Sequence, residues 1–251
     1  MKKKIFFNSK MYLNHAEAIA VAKCLSTVRL ADFELAIFPN HLFFYSVSAI
    51  LAQSEIALGA QNVAYVPRGA YTGAISAELY AEAGASLALV GHSERRYIFG
   101  ETEAVIGKKL LACLEAGLQP VICIGETKEE RDSGQVTKAI SAQLNSAFSL
   151  CRDHESFNKI IIAYEPVYAI GTNDSCPPDE VVATTRLIGD LLRSYTPSTI
   201  PILYGGSVNS TNVLSYLKRP EIDGVLVGSS GASLSGLESF LSTLADSQAV
   251  L

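Results

Sequence analysis

The sequence predicts an α/β protein folded as a single (β/α)8 barrel with eight parallel strands. Short β-branched or apolar runs alternate along the chain with longer segments of helical period. There are eight such runs, so the 251 residues divide into units of about 31, the size of a βα unit. No linker, low-complexity tract or charge block interrupts this alternation, and residues 1–251 are therefore expected to form one domain.

The predicted strands are apolar almost throughout. Leu87–Val90 and residues 160–163 carry no polar position, which is typical of strands buried on both faces of a parallel sheet covered by helices. The eight strands are predicted at residues 4–8, 33–38, 56–60, 87–91, 120–124, 159–164, 201–204 and 223–227.

Amphipathic helices are predicted between the strands, with apolar residues every three or four positions over residues 106–113, 136–148 and 181–192. Gly117 is expected to end the first of these helices, because glycine readily adopts the left-handed conformation of a helix C-terminus. Pro178, followed by two acidic residues, predicts the start of the third.

An open doubly wound sheet is the main alternative with the same alternation of elements. Its dinucleotide-binding form carries G-x-G-x-x-G after the first strand. No such sequence follows residues 4–8, and the glycine- and serine-rich residues 228–231 do not match it. The count of eight strands also favours the closed barrel.

Composition argues against several kinds of partner and site. The net charge of -5 provides no global attraction for nucleic acid or an anionic membrane. The five cysteines are widely spaced without a C-x-x-C pair, which argues against a disulfide framework or zinc site and favours a reducing, cytoplasmic location. The apolar run after the N-terminal lysines breaks at Asn8, too early for a secretion signal, and no stretch approaches the ~20 apolar residues of a membrane span.

Polar residues cluster at the predicted strand ends, where the active sites of (β/α)8 barrels lie. These segments are residues 8–10, 91–96, 123–126, 163–166, 204–207 and 228–229. Each has a structural explanation by itself: Lys10 as a solvated charge, His92 as a structural hydrogen-bonding group, residues 94–96 as an ion-pair cluster, and residues 205–207 as a plain turn. Their coincidence on one rim instead indicates proton transfer beside a carbonyl, with a shielded carboxylate base, an electrophile for the oxyanion and backbone N–H groups for a phosphate.

Five segments resemble the triosephosphate isomerase family in order and spacing. They are residues 8–10, 59–73, 91–96, 163–172 and 204–208. The resemblance implies a TIM barrel that interconverts dihydroxyacetone phosphate and D-glyceraldehyde 3-phosphate through an enediolate, in glycolysis and gluconeogenesis. It implies Glu165 as the base and neutral His92 as the group that polarises the carbonyl, the roles known for this family. It also implies Lys10 as the cation for phosphate and intermediate and Asn8 as a nearby hydrogen-bond donor, with no metal or organic cofactor.

The resemblance further implies a lid over residues 166–172 and supporting roles for Glu94 and Cys123. Glu94 would pair with Lys10 or assist the proton transfer. The phosphate-binding residues that it implies are Gly171, Ser207, Gly228 and Ser229. Residues 65–80 resemble the family's dimer loop, in which Thr72 would reach the Lys10 region of a second copy, so a homodimer is expected. The alternative for this segment is an ordinary exposed loop.

The chain departs from the family's pattern at four places. Ser9 stands where the family usually has a bulky aromatic residue, and Tyr168 replaces the usual lid tryptophan. Ala74 replaces a glutamate that commonly pairs with the partner subunit's arginine at the position of Arg95. Residues 228–234 resemble the family's last phosphate loop with two extra residues.

Two other functions are compatible with a barrel. A Schiff-base aldolase would carry a lysine on an inner strand, commonly the sixth, whereas this chain has Glu165 there. A non-catalytic binding or scaffolding barrel would be expected to lose at least one of Lys10, His92 and Glu165, and all three are present.

Overall fold

A closed barrel of eight parallel strands forms the centre of the molecule, which confirms the predicted fold class. The computed structural model describes residues 2–169 and 175–248. Neighbouring strands pair in chain order, and pairing of the first strand with the last closes the barrel. The strands are Lys3–Asn8 (β1), Phe33–Phe38 (β2), Ala57–Ala60 (β3), Leu87–Val90 (β4), Gln119–Ile124 (β5), Ile161–Tyr164 (β6), Ile202–Tyr204 (β7) and Gly224–Val227 (β8).

Helices follow the strands and surround the barrel. They are His15–Ser26 (α1), Phe44–Leu51 (α2), Ala77–Glu82 (α3), Ser93–Tyr97 (α4), Glu103–Glu115 (α5), Lys128–Asp132 (α6), Val136–Phe148 (α7), Pro178–Leu192 (α8), Val213–Leu217 (α9) and Leu234–Gln248 (α10). Among the helices of residues 2–169 and 175–248, none combines the length and the apolar character needed to cross a membrane.

The predicted helix boundaries are confirmed where the sequence carried a capping signal. Gly117 has φ +76°, its N–H donates to the Leu114 carbonyl, and the Leu118 N–H donates to the Cys113 carbonyl. This pair of hydrogen bonds ends α5 in a Schellman motif. Helix α8 begins at Pro178, as predicted.

The predicted start of the sixth strand is wrong by two residues, whereas the other predicted strand boundaries agree with the structure to within one residue. The sixth strand was expected from residue 159, but β6 begins at Ile161 because Phe157–Lys159 forms a 3-10 turn. The Ile160 N–H donates back to the Phe157 carbonyl in this turn and is therefore not available for a strand.

Both faces of the barrel strands are buried, which explains their uniformly apolar sequences. Along β1, Phe6 points into the barrel interior, while Ile5 and Phe7 pack against the surrounding helices. The interior layer is made of Phe6, Ala36, Phe38, Leu87, Leu89, Val121, Cys123, Ile161, Ala163, Leu203 and Leu226. This packed interior leaves room for a site only at an end of the barrel.

Candidate active site

A cavity of about 110 Å³ lies at the carboxyl ends of the strands. It collects side chains and turns from β1, β4, β6, β7 and β8, as expected for this architecture. The predicted site residues that line it are Asn8, Lys10, His92, Glu165, Ser207, Gly228 and Ser229. Gly171, also predicted to bind phosphate, lies outside the described residues. We call this space the rim cavity.

Glu165 follows β6 and is only 3% exposed. Its Oε2 accepts a hydrogen bond from the Ser93 N–H at 3.2 Å. Two glycines make room for this residue: a Cβ on Gly125 would lie 1.9 Å from the Glu165 carbonyl oxygen, and one on Gly205 would lie 2.8 Å from Glu165 Cγ. The carboxylate is therefore held in place at one oxygen, while the other faces His92.

His92 caps the N-terminus of α4 and presents one ring nitrogen to Glu165. Its Nδ1 accepts a hydrogen bond from the Glu94 N–H at 3.2 Å, so this nitrogen carries a lone pair. In the neutral ring the proton must then be on Nε2. Nε2 lies 3.4 Å from Glu165 Oε1, and both side chains are buried. The pair places a carboxylate oxygen and a ring nitrogen at one point of the rim.

Lys10 brings a positive charge to the same place. Its Nζ lies 2.8 Å from Glu94 Oε1, and Glu94 Oε2 lies 3.5 Å from His92 Nδ1. Asn8, the last residue of β1, accepts a hydrogen bond from the Lys10 N–H at its Oδ1. Glu94 and Glu165 thus flank the His92 imidazole, and Lys10 pairs with Glu94.

The turns after β7 and β8 form the opposite wall of the rim cavity. The Ser207 hydroxyl donates to the Ala169 carbonyl at 2.8 Å, which joins the β7 turn to the segment after β6. Gly228 packs against Lys10, since a Cβ there would lie 3.3 Å from Lys10 Cε. Ser229 begins a 3-10 turn that ends at Gly231. The two turns and Lys10 line the same cavity, so backbone N–H groups of the turns and a positive charge can act together on a phosphate.

Cys123 and Arg96 lie next to the catalytic side chains. Burial, followed by the charge of Glu165, raises the pKa of the Cys123 thiol well above its ordinary value, so the thiol stays protonated beside the carboxylate. Arg96 donates to the Gly91 carbonyl at 2.6 Å and to the Cys123 carbonyl at 2.9 Å. The structural explanation of Arg96 as a brace therefore fits its contacts. In residues 2–169 and 175–248, no three His, Cys, Asp or Glu side chains gather as metal ligands.

Sequence reasoning missed a second polar cluster, which lies under the segment after β6. Glu126 is fully buried and accepts hydrogen bonds from Arg131 and from the Tyr164 hydroxyl. The Arg131 guanidinium also lies 5.5 Å from the centre of the Tyr168 ring, the residue that replaces the family's tryptophan. The available signal was Glu126 at the end of a predicted strand, with a basic residue one helical turn into the following helix.

A wide apolar groove of about 1080 Å³ adjoins the rim cavity. Met11 is 87% exposed at this groove, and Ile98 and Phe99 are also exposed there. Thr72 and Ala74 lie in the exposed loop before α3. Arg95 donates to Glu101 at 2.6 Å and stacks on Phe99, so it has partners within its own chain.

Comparison with known proteins identifies the family. The family model described as triosephosphate isomerase matches residues 3–244. A triosephosphate isomerase from Roseiflexus castenholzii is 42% identical over 240 residues, which cover 93% of each chain. One from Aquifex aeolicus is 43% identical over 78% of this chain and 79% of its own, and one from Protochlamydia amoebophila is 40% identical over 95% and 91%. With this match along its length and the geometry of its rim cavity, the chain belongs to the triosephosphate isomerase family.

Proposed function

We propose that the rim cavity is the site at which this chain interconverts dihydroxyacetone phosphate and D-glyceraldehyde 3-phosphate, the reaction of its family in glycolysis and gluconeogenesis. One observation carries the assignment of residues: His92 Nε2 and Glu165 Oε1 lie 3.4 Å apart, buried, at the base of a cavity that Lys10 and two glycine-rich turns also line. A base, a neutral proton donor and an anion-binding wall are the three groups that the reaction needs.

Glu165 is the proposed base. Its carboxylate removes a proton from the carbon next to the carbonyl, and the electron pair of that C–H bond forms the enediolate as the carbonyl oxygen gains negative charge. Glu165 then returns the proton to the neighbouring carbon. The hydrogen bond from Ser93 fixes Oε2, so Oε1 is the oxygen with freedom to accept the proton. The buried surroundings keep water away from the reactive intermediate.

His92 is the proposed electrophile. A neutral Nε2–H donates to the substrate carbonyl oxygen and stabilises the charge that develops on it. The ring can then move a proton between the two oxygens of the enediolate. The hydrogen bond from the Glu94 N–H supports the tautomer that this role requires, because it leaves Nδ1 without a proton.

Lys10 is the proposed cation for the phosphate and the intermediate, and Asn8 a nearby hydrogen-bond donor through its amide nitrogen. Asn8 Oδ1 accepts a hydrogen bond from the Lys10 N–H, and the Nδ2 group of the same amide therefore points away from the Lys10 backbone. Glu94 supports Lys10 through their ion pair, and the protonated Cys123 thiol supports the Glu165 carboxylate.

Phosphate binding is proposed at Ser207 and Gly228 through their backbone N–H groups, and at Ser229 through its N–H and hydroxyl. Their place along one wall of the rim cavity supports this assignment. Gly171 is proposed as a fourth phosphate ligand on the family resemblance alone. Residues 166–172 would form the lid, with Pro166 stiffening its start.

A homodimer is the proposed assembly, with Thr72 reaching the groove of a second copy. The support is the apolar groove beside the rim cavity, along which Met11, Ile98 and Phe99 are exposed. The remaining expectations follow the sequence: one domain, a cytoplasmic location, and neither nucleic acid nor a membrane as partner.

The test is a coupled assay of glyceraldehyde 3-phosphate turnover on the purified chain and on Glu165→Gln. The substitution keeps the shape of the side chain but removes the base, so kcat is expected to fall by about 10²–10⁴-fold. Glu155→Gln, an exposed residue in the loop before β6, is the matched control and keeps the wild-type rate. Absence of turnover by the folded wild-type chain would favour the scaffolding alternative, and a near-normal rate of Glu165→Gln would refute the role of the base.

A further inference from the structure

Lys10 has a backbone conformation that its neighbours must impose. Among residues 2–169 and 175–248, it is the one non-glycine residue with a positive φ, at +45°. The Cβ atom of an L-residue crowds the backbone in this region, so the conformation persists only where surrounding contacts hold it. The backbone conformation of Lys10 sets the direction in which its side chain leaves the chain, and so the direction in which Nζ approaches Glu94 and the rim cavity.

Two side-chain amides hold the peptide groups on either side of Lys10. Asn8 Oδ1 accepts from the Lys10 N–H at 3.0 Å. On the other side, Gln61 Nε2 donates to the Lys10 carbonyl at 2.9 Å and to the Phe38 carbonyl at 2.8 Å. Phe38 ends β2 and Gln61 directly follows β3, so the Gln61 amide joins the ends of two strands to Lys10, the second residue after β1.

The neighbour of Lys10 has a small side chain. Ser9, next to Lys10, stands where the family usually has a bulky aromatic residue, and its hydroxyl is buried without a hydrogen-bond partner. The Ser9 N–H donates to the Phe38 carbonyl at 3.1 Å, the same oxygen that Gln61 contacts. Hydrogen bonds made by Asn8, Ser9 and Gln61 therefore surround the backbone at this point.

Gln61 itself does not line the rim cavity; it lies in the wall of the neighbouring groove. Any effect of Gln61 on the reaction must therefore be transmitted by another residue, and Lys10 is the cavity residue that it contacts.

We propose that Gln61 is a positioning residue for the isomerisation, which keeps Lys10 in its left-handed conformation and so directs the ammonium group at the substrate phosphate. The proposal rests on the function proposed above, in which Lys10 binds that phosphate. The chemistry of the amide suits this role, since one –NH2 group carries two hydrogens for two carbonyl oxygens. Methionine has a similar length without these donors, and glutamate would place carboxylate oxygens against both carbonyls.

The test is steady-state kinetics with glyceraldehyde 3-phosphate on the full chain and on Gln61→Met, Gln61→Glu, Lys10→Met and the double variant Lys10→Met/Gln61→Met. Gln61→Met is expected to raise KM about tenfold with a smaller change in kcat, and Gln61→Glu to raise it further. In the Lys10→Met background the same change is expected to have less than about a twofold effect, because the two residues act as one unit. Gln119→Met is the matched control: its amide donates to the Lys159 carbonyl at the opposite end of the barrel, and KM stays at the wild-type value.

The proposal would be overturned if Gln61→Met raised KM by the same factor in the wild-type and Lys10→Met backgrounds, or if it left KM unchanged. It would also be overturned if KM rose only in samples whose oligomeric state, measured by sedimentation velocity, had changed. If Gln61→Met does not fold, Gln61→Asn, which keeps the amide but is one methylene too short to reach both carbonyls, carries the same expectation. A failure of the proposed isomerase function would be distinguished from a failure of the Gln61 proposal. It would appear as absent turnover by the wild-type chain, or as a wild-type KM in Lys10→Met, before any Gln61 variant is compared.

Discussion

At the scale of single residues, the base and the proton donor owe their placement to backbone groups. The Ser93 N–H holds Glu165 Oε2, and the next N–H along the chain, that of Glu94, holds His92 Nδ1. Two successive N–H groups at the start of α4 therefore orient both reactive side chains. A substitution that disturbs the orientation of Glu165 or His92 is expected to affect catalysis more than stability. The packing of the barrel core does not depend on how these two side chains are oriented.

Gly205→Ala tests this at the base. The added Cβ would lie 2.8 Å from Glu165 Cγ and 3.3 Å from Oε1, so the Glu165 side chain must move. Displacement of a catalytic group by about 1 Å is expected to lower kcat/KM by about 10²-fold, with a Tm close to that of the wild type. Gly189→Ala, where an added Cβ meets no atom within 4 Å, is the control. A Gly205→Ala enzyme with normal kcat/KM would show that Glu165 tolerates the displacement or is not the base.

At the scale of elements, the loops and caps decide where each helix and strand begins and ends. The α5 terminus was predictable because a left-handed glycine and its two hydrogen bonds involve residues close in sequence. The start of β6 was not, because Ile160 continues the apolar run of the strand in sequence, whereas its N–H is bonded into the preceding 3-10 turn in the structure. Apolar runs identify a buried strand well, but they do not mark its first residue.

Gly117→Ala and Gly189→Ala are expected to change stability in opposite directions. Alanine at φ +76° is strained, so Gly117→Ala is expected to lower the free energy of unfolding by about 1 kcal/mol. Gly189 lies within α8, where alanine loses less backbone entropy on folding, and the substitution is expected to raise it by about 0.5–1 kcal/mol. Urea unfolding followed by circular dichroism measures both. Stabilisation by Gly117→Ala would contradict the assigned cap.

At the scale of the whole molecule, buried thiols link stability to pH. Burial raises the pKa of the Cys113 thiol from 9.0 to about 12. The unfolded chain therefore loses this proton at a lower pH than the folded chain, and above pH 9 the folded state binds more protons. The resulting stabilisation is present below pH 9 and is lost progressively as the pH rises toward 12.

Cys113→Ala isolates this effect. The free energy of unfolding of the wild-type chain is expected to fall more steeply above pH 9 than that of the variant, with the slopes differing by up to about 1.4 kcal/mol per pH unit. Urea unfolding between pH 8 and 10.5 provides the two slopes. The comparison of slopes removes the constant cost of the smaller side chain. Parallel curves would mean that the thiol titrates alike in the folded and unfolded chains.

The assembly is also a property of the whole molecule. Ala74 stands where the family usually has a glutamate for the partner subunit's arginine, and the exposed loop that contains it is the proposed dimer loop. Ala74→Glu is expected to leave the dimer unchanged or to tighten it, because the negative charge would meet a second copy's arginine. Sedimentation velocity over a dilution series measures the dissociation constant. Clear loosening would mean that the loop does not lie at the interface.

The sequence alone was sufficient to predict the barrel and to place Lys10, His92 and Glu165 at one end of it. Strand period, buried apolar runs and helix caps are local properties, and the rule that strand ends carry the site brought Lys10, His92 and Glu165 into one group. The Gln61 contact and the Glu126–Arg131 cluster were not predictable in the same way. Gln61 reaches a carbonyl 51 residues away, and no local pattern specifies that pairing.

The sequence by itself determined the alternation of strands and helices, their parallel arrangement and the residue types on the rim, because each follows from periodicity within a few turns of chain. Only the tertiary structure decided the 3.4 Å between His92 Nε2 and Glu165 Oε1, the tautomer of the ring and the left-handed backbone of Lys10. These depend on which N–H and which carbonyl meet after the barrel closes. Closure joins residues far apart in the chain, so the chemistry of the site is set by contacts that no local segment contains.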